Sequence, residues 1–116
     1  MLKAAETATP SLQQALNTAK KQDKAVFMMY TAPWCPECNY MKEVVFEQKE
    51  VKHYLDQHFV MIDFNVDKDE LPKGFAHIGI PTYFVICSDG RSQITIDGGS
   101  KAAAFLKKLK ALPLCD

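Results

Sequence analysis

The sequence predicts an α/β domain in which a parallel strand-helix-strand unit is followed by a hairpin and a closing helix. Three observations carry that prediction. The apolar, β-leaning run Ala25-Val26-Phe27-Met28-Met29-Tyr30 is followed by helical periodicity and then by a second run, Phe59 to Val66, as a right-handed parallel crossover requires. Asp89-Gly90 lies between two further β-rich runs, a strong hairpin signal. Between the first run and its helix stands Cys35-Pro36-Glu37-Cys38, two thiols one helical turn apart.

A chain of 116 residues, 47% hydrophobic and 24% charged, fits one domain that can bury a core without disulfide staples. Residues 1–10 are expected to form a flexible leader, 11–112 the domain and 113–116 a tail. Lys plus Arg and Asp plus Glu both count 14, which argues against a nucleic-acid binder or a protein held to a membrane by a basic patch. No run of about 18 apolar residues is present to span a bilayer. Met1 to Pro10 lacks the apolar core of a signal peptide. The compartment therefore stays open, with a periplasmic, mature exported form favoured over a cytoplasmic protein and a monomer expected.

Ser11 reads as an N-cap, and Leu12, Ala15, Leu16 and Ala19 recur at helical spacing, an extra N-terminal helix. Asp23-Lys24 turns the chain into the first strand. Pro36 then suits the first turn of the next helix, where its missing N–H is not needed. That helix presents Tyr40, Met41, Val44 and Val45 as an apolar stripe, with Lys42, Glu43 and Glu47 opposite. Val51, Tyr54 and Leu55 continue the helical spacing over 50–58 before the second strand. Leu71 to His77 reads as a short helix, and Thr82 to Cys87 and Arg91 to Ile96 as the hairpin strands. Gly98-Gly99-Ser100 caps a last helix whose Ala104, Phe105, Leu106, Leu109 and Leu112 face inward, and Pro113 stops it.

At the N-terminal end of a helix, Cys35 meets unpaired N–H groups and the positive end of the dipole, which favour a thiolate. Cys87 ends an apolar run and is expected to be a buried, inert small hydrophobe. Cys115 is next to the C-terminus and is expected to be an exposed thiol or an accidental intermolecular disulfide rather than a working part. A different reading makes the chain a non-catalytic binding module, a metal- or thiol-holding partner in which Cys35 and Cys38 join His53, His58 or His77. Those histidines show no regular ligand spacing, so no metal and no other cofactor is expected. Asn39 after the second cysteine excludes a c-type haem site.

The order of elements, Trp34-Cys35-Pro36-Glu37-Cys38 after the first core strand, Asp63-Phe64-Asn65-Val66-Asp67 and Gly79-Ile80-Pro81-Thr82 before the hairpin together resemble the thioredoxin superfamily. The resemblance covers about residues 11 to 112. It is closer to the C-terminal domain of the DsbD electron transporter and related exported thioredoxin-like proteins than to cytosolic thioredoxin. It implies a thioredoxin-like fold with a central mixed four-stranded sheet, parallel βαβ plus antiparallel ββα, flanked by helices. It also implies a cis Pro81 against the cysteine pair; a cis X-Pro bond costs only about 0.5–1 kcal/mol over trans. Missing an N–H, Pro81 leaves the Ile80 backbone free to pair with an extended peptide.

The resemblance further implies a thiol-disulfide oxidoreductase acting as a disulfide reductase. Cys35 attacks a substrate disulfide, Cys38 resolves the mixed disulfide, and Trp34, Ile80 and Pro81 shape the docking surface. The partners are protein substrates with disulfides and an upstream electron donor. The buried acid usual beneath the cysteines in this superfamily is replaced by Met29, and the usual lysine on the neighbouring strand by Asp63. Asp63 either points toward the site and stands in for the acid or is a solvent-facing strand charge. Pro36 and Glu37 set the redox poise. Negative charge at Glu37 disfavours the thiolate and predicts a potential of about −200 to −270 mV rather than the about −120 mV of strong oxidants. A solvent-facing Glu37 is instead screened and has little effect.

Overall fold

The computed structural model describes residues 10–70, 79–90 and 92–112. Helix α1, Pro10–Gln22, includes Pro10, so Ser11 is inside the helix rather than its cap. Proline fits there because the first turn has no use for its N–H. Leu12, Ala15, Leu16 and Ala19 are buried as their spacing requires. Asp23 ends the helix in the left-handed region at φ 56°, and the Lys24 N–H returns to the Ala19 carbonyl at 2.8 Å. Strand β1, Ala25–Thr31, follows directly.

A helical run then carries the motif: α2, Pro36–Tyr40, passes into a π-helical turn over Met41–Val45. Helix α3, Lys49–His58, is capped by the Gln48 side chain, which accepts from the Glu50 and Val51 N–H groups at 3.1 Å each. Strand β2, Phe59–Asn65, completes the parallel crossover. Strands β3, Thr82–Ile86, and β4, Ser92–Asp97, form the hairpin, with Gly90 at φ 91° in its turn. Helix α4, Ala102–Ala111, closes the domain. The short helix expected over 71–77 lies outside the described residues.

The four strands lie in the order β2-β1-β3-β4, with β1 parallel to β2 and antiparallel to β3. Helices cover both faces, so β1 is buried at every position and reads as a continuous apolar run. Val26, Met28 and Tyr30 face α1 together with Phe64, Phe84 and Ile86. Phe27 and Met29 face the motif helix, α3 and α4 with Tyr83, Val85 and Phe105. The Phe27 ring stacks on Tyr83 at 5.3 Å and meets Phe59, Phe46 and Phe105 at 5.6, 6.1 and 6.3 Å.

Four local expectations change. In the motif helix Met41 and Val45 are buried, but Tyr40 and Val44 stand 41% and 52% exposed. The two pairs lie about 100° apart around the helix, so one pair alone faces the sheet. The Phe46 N–H reaches the Met41 carbonyl at 2.8 Å, the wider bonding of a π turn. In α4 Phe105 and Leu109 are buried while Ala104 is exposed. Lys101 rather than Ser100 stands at the α4 N-cap. Cys87 is buried as expected but disulfide-bonded rather than a free thiol; Cys115 lies outside the described residues.

Candidate active site

Residues 32–35 leave β1, and Cys35, in extended conformation at φ −93°, is the N-cap of α2 with Pro36 in the first turn. Cys35 and Cys38 are joined by a disulfide, their Cα atoms 5.2 Å apart. The Cys38 N–H donates to Cys35 Sγ at 3.1 Å, and the Asn39 N–H to the Cys35 carbonyl at 3.0 Å. Cys38 is wholly buried and Cys35 5% exposed, so the first sulfur lies nearer solvent. Asn39 Nδ2 donates to the Pro33 carbonyl at 3.0 Å and holds the entry to the motif.

The second half of the site arrives from the approach to β3. Ile80 and Val66 pack on the small cluster of Ala32, Cys35 and Cys38. The Ile80-Pro81 peptide is cis, Pro81 is buried, and the Thr82 hydroxyl donates to the Gly79 carbonyl at 2.6 Å. Trp34 is 63% exposed at the rim, and its indole N–H donates to Asp67 Oδ2 at 2.6 Å. Asp67 is presented by the turn after β2: its N–H donates to Asn65 Oδ1 and the Asn65 N–H to Asp69 Oδ2, both at 2.8 Å.

Asp63 and Glu37 are both exposed, as their solvent-facing alternatives have it, yet each is bonded within the protein. Asp63 lies opposite Met29 on the same sheet face, but its carboxylate is bonded by Lys42 Nζ and, at 2.7 Å, by the Thr31 hydroxyl. Lys42 also donates to Thr31 Oγ1 at 2.8 Å. Lys42 therefore reaches down to the sheet rather than standing on the solvent side with Glu43 and Glu47. Glu37 is exposed yet not adrift in solvent, since its Oε1 accepts the Gly99 N–H at 3.0 Å.

Tyr83, opposite Met29 on β3, lies under the motif helix against Phe46 at 5.7 Å. Its hydroxyl is buried without a hydrogen-bond partner among the described residues. Burial, and then the charges of Glu37 and Asp63, push its ionisation well above the ordinary phenol value. Tyr83→Phe is therefore expected to stabilise the fold by about 1–3 kcal/mol in a denaturant titration, because it removes an unsatisfied buried group. Unfolded tyrosine ionises near pH 10 while folded Tyr83 keeps its proton. The unfolded state then binds fewer protons, so stability falls as pH rises above about 10. The Phe variant should lose that part of the alkaline decline; destabilisation at neutral pH would show instead that the hydroxyl is bonded.

Among the described residues no cluster of three or more His, Cys, Asp or Glu side chains is placed to hold a metal, and no helix is long and apolar enough to cross a membrane. His53 and His58 lie on α3, where His58 packs on Tyr54 at 4.4 Å; His77 is outside the described residues. Asp67, Lys42, Thr31, Val66 and Gly99 are site neighbours that sequence reading did not single out. Asp67 stands within a stretch already matched, but its partner Trp34 is 33 positions away.

Comparison with known proteins agrees with this geometry. The family model of the thioredoxin-like domain matches residues 12–113. The thiol:disulfide interchange protein DsbD of Neisseria meningitidis serogroup A is 33% identical over 105 residues, covering 85% of this chain and 18% of that protein. The chain thus spans under a fifth of that relative's length. The C-terminal domain of N. meningitidis DsbD in its reduced form superposes with TM-score 0.72 at 31% identity, covering 92% of this chain and 98% of that one. A putative disulphide-isomerase from Bacteroides thetaiotaomicron gives TM-score 0.73 at 32% identity, with coverages of 84% and 83%.

Proposed function

The chain belongs to the thioredoxin-like family, and on that premise we propose that it is a thiol-disulfide oxidoreductase working as a protein-disulfide reductase through Cys35 and Cys38. The observation that carries this is the Cys35–Cys38 disulfide at a helix N-cap, with Ile80 packed on the pair. In the reduced protein the Cys35 thiolate attacks one sulfur of a substrate disulfide. A Cys35-substrate disulfide forms and the other substrate sulfur leaves as a thiolate, which takes up a proton. Cys38 then gives up its proton and attacks Cys35 Sγ, the mixed disulfide breaks, and the second substrate thiol departs. Two electrons have passed to the substrate, and no cofactor takes part.

The parts follow from position. The Cys38 N–H that meets Cys35 Sγ is placed to donate to the thiolate. Pro36 supplies that turn without needing a partner for its nitrogen. Trp34, held by Asp67, and the Ile80-Pro81 approach form the surface on which an extended peptide docks. Glu37, the residue before Cys38, places a negative charge that disfavours the thiolate and tunes the pair toward the reducing side, while the Asp63 charge is offset by Lys42. A potential of about −200 to −270 mV is expected against glutathione buffers. The likeness to DsbD supports an exported, periplasmic protein passing electrons from an upstream dithiol to protein disulfides.

The test is insulin reduction with dithiothreitol as electron source. The wild type should accelerate precipitation of the insulin B chain, and Cys35→Ser should return the rate to background. Undiminished activity in that variant would overturn the assignment of Cys35.

A further inference from the structure

We propose that Glu37 is a positioning residue, a latch that ties the motif helix to the loop 98–100 and so holds the docking surface at Trp34, Ile80 and Pro81 in shape, apart from any effect of its charge. This rests on the reductase reading above and adds a specificity-determining part to it. Three successive N–H groups of this loop are bonded to different parts of the site. Gly98 donates to the Pro81 carbonyl at 2.8 Å, Gly99 to Glu37 Oε1 at 3.0 Å, and Ser100 to Met41 Sδ at 3.3 Å. Lys108 Nζ on α4 holds the Ser100 hydroxyl at 2.9 Å.

The loop is therefore joined on one side to the cysteine helix and on the other to Pro81. Of its two ties to the motif helix, Glu37 makes the one next to Cys38. The fit is close. A Cβ at Gly99 would lie 2.8 Å from Glu37 Cγ and 2.9 Å from its Oε1, nearer than real Cβ atoms approach. Gly99, outside the left-handed region, is thus needed for room rather than for its backbone angles, whereas Gly98 at φ 75° is needed for its conformation.

These contacts separate the latch from the charge. Gly99→Ala sets a Cβ against the Glu37 side chain from Cγ to Oε1, so that side chain must turn to another rotamer, which breaks the hydrogen bond and keeps the carboxylate. Glu37→Gln keeps an oxygen that accepts from Gly99 but loses the charge. Glu37→Ala loses both. Steady-state insulin reduction and redox equilibration against glutathione are measured on the whole chain. Gly99→Ala and Glu37→Ala should raise the insulin KM about fivefold, the loss of one hydrogen bond, with kcat retained in Gly99→Ala. Glu37→Gln should keep the wild-type KM, while its potential and that of Glu37→Ala become more oxidising and that of Gly99→Ala does not.

A raised KM in Glu37→Gln equal to that of Glu37→Ala, or an unchanged KM in Glu37→Ala, overturns the latch. The Glu37→Ala arm needs no loop substitution, so it decides even if Gly99→Ala folds poorly. Failure of the wild type to reduce insulin would instead overturn the reductase reading.

Discussion

Exchanging Cys38 for serine is expected to stop turnover while leaving the first attack intact, so that the protein accumulates as a covalent adduct with its substrate. The reason is the unequal placement of the two sulfurs. Cys35, at the N-cap and nearer solvent, can meet a substrate disulfide, whereas Cys38 is wholly buried behind it. Once Cys35 is bonded to substrate, Cys38 is the thiol of the motif pair that can approach the mixed disulfide, their Cα atoms being 5.2 Å apart. Serine at 38 is close to isosteric but cannot resolve the bond. Insulin reduction should fall to background, and non-reducing gel electrophoresis after exposure to a disulfide-bonded peptide should show an adduct that dithiothreitol releases. Formation of that adduct by Cys35→Ser would reverse the assigned order of attack.

The largest expected effect on stability is at Phe27. Its ring is fully buried on the central strand and meets Tyr83, Phe59, Phe46 and Phe105, which come from two strands, the end of the motif helix and the closing helix. Phe27→Ala removes the ring about which these elements converge and leaves a cavity that they cannot all close around. A loss of about 3–5 kcal/mol is expected. Against a usual total of about 5–15 kcal/mol, that is a large share of the fold's stability. Urea titration followed by circular dichroism would show the midpoint falling with little change in slope. A loss below about 1 kcal/mol would mean that the surrounding rings collapse into the space.

Met29 and Asp63 show how far sequence reasoning reached and where it stopped. The thioredoxin resemblance placed them on neighbouring strands and showed Met29 where an acid is usual, and the structure pairs the two positions. The alternatives for Asp63 had no term for Lys42, because lysine on an amphipathic helix reads as solvent-facing, and only the packed helix brings its ammonium to the Asp63 carboxylate and the Thr31 hydroxyl. The exposure of Tyr40 and Val44 was likewise hidden. An apolar residue fits either side of a helix in pattern, and which pair turns inward is set by the sheet it lands on.

By itself the sequence determined the chemistry and the elements that carry it: two thiols one turn apart after a buried strand, a proline before the third strand, and periodicities that name each helix. These are short-range properties, read over a few neighbouring residues whose backbone preferences and apolar spacing act locally. The tertiary structure decided the partners of the polar side chains around the cysteines. Glu37 meets Gly99 across 62 positions, Trp34 meets Asp67 across 33 and Lys42 meets Asp63 across 21. A charged or amide group can be satisfied by water or by many partners, so its choice is made only when the packing of the apolar core brings one of them within reach.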